Sequence, residues 1–222
     1  MTTIPILFED GEALIIDKPG RLPIERPRAG GVSLENHLDE LKLGFQRVPV
    51  AVHRIDTDTS GCLLLARNPK ALKRFSAAFE ARQVEKIYLG IVAGPVAGEE
   101  GTIELSLSKI SSAEKGWRMI AAKKGKPSIT HWRKLAETGG NTLVEFRPET
   151  GRTHQIRVHA AEAFGHALLG DPVYGDGRGA SRTMLHALEL TVPREGKPPV
   201  TARAPVPADF VALGFGDVQQ PA

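Results

Sequence analysis

The stretch Val52-His-Arg-Ile-Asp-Thr-Asp-Thr-Ser-Gly-Cys-Leu-Leu-Leu65 constrains this chain more than any other. Its second half, Cys62 to Ala66, is a short apolar run of the kind that forms a buried strand. Its first half crowds His, Arg, Asp, Thr and Ser beside Gly61. Short hydroxyl and carboxylate side chains bond the nearby backbone, and Gly opens backbone angles that other residues avoid. The polar half therefore reads as an ordered loop delivered into a core strand. Such a loop is a good mount for a reactive carboxylate, and Asp56 is the candidate. Asp in turns is common, so the same residues also fit a simple turn whose carboxylates accept backbone N–H bonds. A second polar stretch, Glu149-Thr-Gly-Arg-Thr-His-Gln-Ile-Arg-Val-His159, shifts the balance, because it too opens an apolar element.

Short apolar runs outnumber amphipathic ones along the chain. Ile4–Phe8 and Ala13–Ile16 flank Glu9-Asp-Gly-Glu12 and read as a hairpin turning at Asp10-Gly11. Ser33 reads as the N-cap of a short helix with Leu34, Leu38 and Leu41 on one face. Asn68-Pro69 is a strong helix start, followed by Leu72, Phe75 and Phe79 at helical spacing. Val84–Val92 alternates as a strand carrying Lys86 and Tyr88. The Gly-rich, basic segment Gly94–Gly140 predicts strands at Ile103–Leu107 and Ser128–Leu135 and exposed loops such as Lys123-Lys-Gly-Lys126. Further strands are expected at Leu143–Phe146 and Leu185–Val192, and a helix over Thr153–Phe164, capped by Thr153 and ended by Gly165. Gly170–Gly175 is a tight turn, and Pro-rich loops lead to a last short helix near Asp209–Leu213. Many strands and few helices, in no regular βαβ order, predict an α+β fold with a central mixed, mainly antiparallel sheet flanked by helices and loops.

Bulk properties exclude several classes. The chain is 222 residues long, 41% hydrophobic and 25% charged, which is ordinary globular composition. Cys62 is the single cysteine, so no disulfide framework or cysteine-based zinc site is possible. No apolar run reaches the roughly 18–20 residues of a membrane helix, and the N-terminus lacks a signal-peptide layout. A cytoplasmic protein without a membrane partner is expected. The net charge of +3 and a pI near 9.1 permit a polyanionic partner. There is no HExxH, Gly-x-Ser-x-Gly or Walker loop, and His154 and His159 are spaced for neither one helix face nor one strand face. No metal site is expected.

If the fold joins the two polar stretches, Arg152 pairs with Asp56, since a buried ionised carboxylate needs such a partner. A cation at the positive end of a helix is otherwise disfavoured. Tyr88, taken alone, reads as a half-buried strand aromatic.

The run His53-Arg-Ile-Asp-Thr-Asp-Thr-Ser-Gly61 resembles the signature of the RluA-type pseudouridine synthases, His-Arg-Leu-Asp, two variable residues, then Thr-Ser-Gly. The likeness covers almost the whole chain. Leu7–Asp10 through Lys18-Pro19 and Leu22-Pro23 resembles the family's opening, and Lys86-Ile-Tyr88 its Lys-x-Tyr strand. Thr150–His159, Gly170–Gly175 and Leu185-His-Ala187 complete the order. Ile55 stands for Leu, and the loop Ile24–Arg28 lacks a His often found there. The resemblance implies one catalytic domain over residues 1–222, with no separate S4-like RNA-binding module.

The family isomerises uridine in RNA to its C-glycoside, pseudouridine. The uracil leaves C1′, rotates and reattaches through C5, so no redox cofactor and no metal-activated water are needed. By resemblance Asp56 is the catalytic carboxylate, whether it attacks the base, attacks C1′ or takes a proton from C2′. Tyr88 stacks on the uracil, Arg152 pairs with the aspartate, Leu185 packs against the base, and Arg54 fills the gap left by the flipped nucleotide. The implied partner is structured RNA, a tRNA or rRNA stem-loop, bound by a monomer; DNA is not a partner. A catalytically inactive RNA-binding or remodelling protein of the same fold is the alternative. Intact Asp56, Tyr88 and Arg152 weigh against it. A hydrolase or metal enzyme has only the histidines His154, His159 and His166 behind it.

Overall fold

The structure, a computed structural model, describes residues 4–112 and 116–216. In chain order, strands β1 (Ile6–Glu9) and β2 (Ala13–Lys18) precede two 3-10 turns, Leu34–His37 and Glu40–Lys42. Then come β3 (Val50–Ala51), β4 (Ser60–Ala66), helix α1 (Pro69–Glu80) and β5 (Glu85–Val92). Four further strands follow, β6 (Glu100–Ser112), β7 (Gly116–Ala121), β8 (Lys126–Thr138) and β9 (Asn141–Pro148). Helix α2 (Gln155–Phe164), β10 (Leu185–Arg194), β11 (Lys197–Arg203) and α3 (Ala208–Ala212) end the described chain. This is the expected α+β class, and the strand pairings below are antiparallel wherever their register is described. The chain divides into two compact units, Met1–Lys86 with Ala187–Pro205, and Ile87–His186 with Val206–Ala222.

In the first unit the strand order is β1-β2-β4-β10, with β3 also on β4 and β11 on β10. The expected hairpin forms because Asp10 Oδ1 accepts the Glu12 and Ala13 amides, both at 2.8 Å. Burial pushes the Asp10 carboxyl up, but the Glu12 amide, the Arg194 guanidinium and the Ala13 amide outweigh it and hold the group below its ordinary value. Every residue of β4 is buried, as its unbroken apolar run requires. Cys62 lies inside it, with Sγ 3.5 Å from the Leu188 carbonyl, and burial pushes its thiol up to about 12. Leu14, Ile16, Leu34, Leu41, Leu63 and Leu65 form the core beneath. Helix α1 starts where Asn68-Pro69 says it should: Asn68 Oδ1 accepts the Ala71 amide at 2.9 Å. Phe75 is fully buried on its inner face.

Two expectations fail here. The segment after Ser33 makes two 3-10 turns rather than one α-helix, although Leu34 and Leu41 are buried as the spacing implied. The Pro-rich segment after β10 is not loop but strand β11. Pro198 and Pro199 fall at an irregularity of the ladder, between the pairs Arg194–Lys197 and Val192–Val200, where a missing N–H is tolerated.

In the second unit the order is β5-β9-β8-β6-β7. Strands β6 and β8 each run 13 residues, well beyond the short spans expected, because each is extended by its partner: β8 pairs β6 from Arg133 to Lys126 and β9 from Thr138 to Thr130. The core gathers Val92, Val144, Phe146, Ile156, Ala160 and Leu168 beneath α2. Helix α2 ends at Gly165, whose φ of 68° lies in the left-handed region that Gly favours. It does not start at Thr153. His154 occupies the cap position, itself left-handed at φ 52°, and makes no capping bond.

The turn Gly170–Gly175 is bolted to α2. Arg157 Nε and Nη2 donate to the two oxygens of fully buried Asp171 at 2.7 and 2.8 Å, and Asp171 also accepts the Val173 and Tyr174 amides. Burial raises the Asp171 carboxyl, but Arg157 and the two amides overcome it and hold it below the carboxylate range. Gly170, at φ 75°, could carry no Cβ, which would meet the Arg182 carbonyl oxygen at 2.1 Å.

Candidate active site

Asp56 sits in the first unit, half-buried, in the loop between β3 and β4. Three interactions shape that loop. The Thr59 amide donates to the Asp56 carbonyl at 3.1 Å, closing a turn over the carboxylate's own backbone. His53 Nε2 accepts the Leu64 amide of β4 at 3.1 Å, and its ring stacks on Phe79 with centroids 4.6 Å apart. Burial, with the Lys86 charge nearby, pushes His53 down to about 3, so it is neutral and holds that acceptor throughout the ordinary pH range. Lys18 is the third. It is fully buried at the end of β2, and its Nζ donates to the Pro19, Leu22 and Thr57 carbonyls at 2.9, 2.9 and 3.1 Å. An ammonium has three donors and all three are met, which is what makes its burial tolerable. The same three bonds tie the chain after β2 to the residue next to Asp56. Gly61, at φ 101° and opposite Lys18 in the β2–β4 register, turns this loop into the strand.

Arg54 is exposed and points away from the core, with Nη1 3.9 Å from Glu25 Oε1. An exposed pair at that distance contributes little and opens readily.

The other named residues belong to the second unit. Tyr88 lies on β5 opposite Phe146 of β9. Tyr88 and Leu185 share one apolar cluster, which Ile156 of α2 also joins. Arg152 lies half-buried in the turn that leads into α2. Its Nε donates to the Pro127 carbonyl at 3.3 Å and its amide to Gln155 Oε1 at 2.9 Å.

Of the three histidines His154, His159 and His166, two have hydrogen-bond partners within the fold. His154 Nδ1 meets the Tyr174 hydroxyl at 3.0 Å, and buried His159 Nε2 meets Ser128 Oγ at 2.9 Å. Among the described residues no group of three or more His, Cys, Asp and Glu side chains is placed to hold a metal ion. No described helix is long and apolar enough to cross a membrane.

Lys18, His53 and Gln155 build the site as well, through bonds that only the fold reveals. Lys18 carries a usable signal, a lone cation ending an apolar strand; His53 takes its partner from β4, and Gln155 takes two of its four from β8, which no local pattern announces.

His53 and His159 predict an acid weakness. Burial holds His159 down to about 4, as it holds His53 near 3. Between pH 6.5 and about 4 the unfolded chain therefore binds protons at both positions that the folded chain does not, and stability falls as pH falls, at up to ~1.4 kcal/mol per pH unit per proton. Asp17, whose carboxyl burial raises, works in the opposite direction and offsets part of this. Urea midpoints measured at pH 7, 6 and 5 should drop steadily. A flat or rising series would mean that these rings are not buried as neutral groups.

Comparison with known proteins identifies the family. The family model described as RNA pseudouridylate synthase matches residues 12–162. An uncharacterised RNA pseudouridine synthase of Zymomonas mobilis is 54% identical over 212 residues, covering 95% of this chain and 97% of that protein. The ribosomal large subunit pseudouridine synthase D of Nitrosomonas europaea is 37% identical over 95% of this chain, which spans 64% of that protein's length. Among solved structures, human RNA pseudouridylate synthase domain containing 1 superposes with a TM-score of 0.75 at 29% identity, over 92% of this chain and 84% of that one. Human RNA pseudouridylate synthase domain containing 4 shares the fold, with a TM-score of 0.80 over 98% of this chain and 95% of that one at 23% identity. The chain therefore belongs to the RNA pseudouridine synthases of RluA type.

Proposed function

We propose that this protein isomerises specific uridines in structured RNA to pseudouridine, with Asp56 as the reacting carboxylate. The observation that carries the reading is the Asp56 loop itself. A half-buried carboxylate stands on a backbone pinned by a fully buried lysine and a neutral histidine, beside a fully buried strand. Catalytic groups need such fixed placement, since misplacement by about 1 Å costs on the order of 10²-fold in rate. In this reading Arg152 orients the aspartate, and Tyr88 and Leu185 hold the uracil. Their shared apolar cluster supports that division of labour, because stacking on a base wants an aromatic face set in a dry surround. The reading takes residues 1–222 as one catalytic domain.

The target base has to leave its stack before it reaches a carboxylate. Exposed Arg54, loosely held by Glu25, suits the space left behind. Exposed Lys123, Lys124 and Lys126, at the turn between β7 and β8, suit phosphate contacts, which weaken as salt rises. The reading makes the protein a cytoplasmic monomer acting on RNA and not on DNA. Large-subunit rRNA is the first substrate class to test, since one relative carries that target in its name; tRNA is the second. RNA of each class, carrying tritium at uridine C5, should release label when the base reattaches through C5. Release from one class identifies the target. No release from either, with RNA transcribed free of modification, overturns the reading in favour of an inactive RNA-binding protein.

A further inference from the structure

We propose that Gln155 is a positioning residue for Arg152, and that its carboxamide is the brace between the turn carrying Arg152 and the start of β8. The inference rests on the reading above in which Arg152 acts on the reacting nucleotide.

Gln155 is the first residue of α2 and is only 4% exposed. A Gln side chain offers four hydrogen-bonding positions, two donating and two accepting. All four are used. Oε1 accepts the Thr150 hydroxyl at 2.7 Å and the Arg152 amide at 2.9 Å; Nε2 donates to the Ile129 carbonyl and to Thr130 Oγ1, both at 3.0 Å. The orientation of the amide is settled by its neighbours. Thr150 Oγ1 already accepts the Ile129 amide at 3.1 Å, so its own proton goes to Gln155. The Arg152 N–H can only donate, so it too must face oxygen. The reversed amide would set donor against donor at Arg152 and acceptor against carbonyl at Ile129.

The brace fixes Arg152 at two points. Its backbone amide is held by Gln155, and its guanidinium Nε by the Pro127 carbonyl. Pro127 lies two residues before Ile129, which Gln155 and Thr150 grip from either side. Backbone and side chain of Arg152 are thus both referred to residues 127–130 of β8. Helix geometry does not supply this. The residue at the cap of α2, His154, makes no capping bond, so the entry to the helix is shaped by Gln155 instead. A buried, fully satisfied network of this kind is rigid, and a half-satisfied one is costly.

Gln155→Leu removes all four bonds; Gln155→Glu keeps the size but sets an acceptor against the Ile129 carbonyl. Each is expected to lower kcat by ~10²-fold, with KM within about threefold, because the residue acts on geometry and touches no RNA. The decisive measurement repeats each change in an Arg152→Ala background, using tritium release from the RNA class found above. With Arg152 gone, the Gln155 change should cost less than about threefold more, since groups acting as a unit are not additive. Equal losses in both backgrounds overturn the inference. So does loss of the folded circular dichroism spectrum in both Gln155 variants, which makes the brace part of the fold alone. If Arg152→Ala itself retains full activity, the fault lies with the role given to Arg152, and that outcome is distinct from the other two.

Discussion

Asp56→Asn is expected to abolish pseudouridine formation, by at least ~10³-fold in kcat, or about 4 kcal/mol of barrier. The chemistry needs an ionised carboxylate, whichever of the three routes it takes. The carboxamide is neither a nucleophile nor a base, yet it matches the carboxylate in shape. The fold should hardly notice. Asp56 is only half-buried, and the bonds that build its loop run through its carbonyl, the Thr57 carbonyl, the Lys18 ammonium and the His53 ring. Asn keeps the size and shape of Asp, so the change in stability is expected to stay within ~1 kcal/mol. RNA affinity should likewise stay within a few-fold, because phosphate contacts dominate it. Three measurements on one variant decide the matter: tritium release, urea midpoint and RNA binding at fixed salt. Turnover near the wild-type rate removes Asp56 from the mechanism. A large loss of stability makes it a structural residue.

Arg157→Met is expected to give the largest stability loss of any single change considered, about 3–5 kcal/mol. The reason is what it leaves behind. Asp171 is completely buried and its carboxylate is answered by the bidentate guanidinium. Without Arg157 the charge has only the Val173 and Tyr174 amides. At the size of this chain such a loss lowers Tm by roughly 6–20 °C. Adding Asp171→Asn to the same chain should recover most of it. Asn is neutral, and its Oδ1 still accepts the two amides. The full cycle of single and double variants, followed by urea unfolding, measures the coupling. If Arg157→Met costs less than about 1 kcal/mol, the pair does not anchor the Gly170–Gly175 turn to α2.

What could be read from the sequence is governed by interactions between near neighbours in the chain. The Asp10-Gly11 turn, the Asn68-Pro69 start of α1, the Gly165 end of α2 and the unbroken apolar run of β4 all announce themselves, because each rests on bonds spanning a few residues. The family motifs belong with them, since they are order and identity along one chain. Where local signals were weak, they misled. Pro198 and Pro199 argued against a strand, but the ladder with β10 supplies an irregularity that accommodates them. Thr153 looked like a cap, but the left-handed His154 took the place. Nothing local predicted that β6 and β8 would run so far, because their length is set by the strands they pair with.

The site divides the same way. Asp56, Arg54, Tyr88, Arg152 and Leu185 were named from type, position and motif. Tertiary structure alone decided what holds them: the three carbonyls that gather around Lys18, the β4 amide that finds His53, and the four bonds of Gln155. Lys18 and Gln155 each tie near neighbours to a segment at least 25 residues away, Thr57 for one and Ile129 and Thr130 for the other, because a buried polar group must find partners wherever the fold brings them.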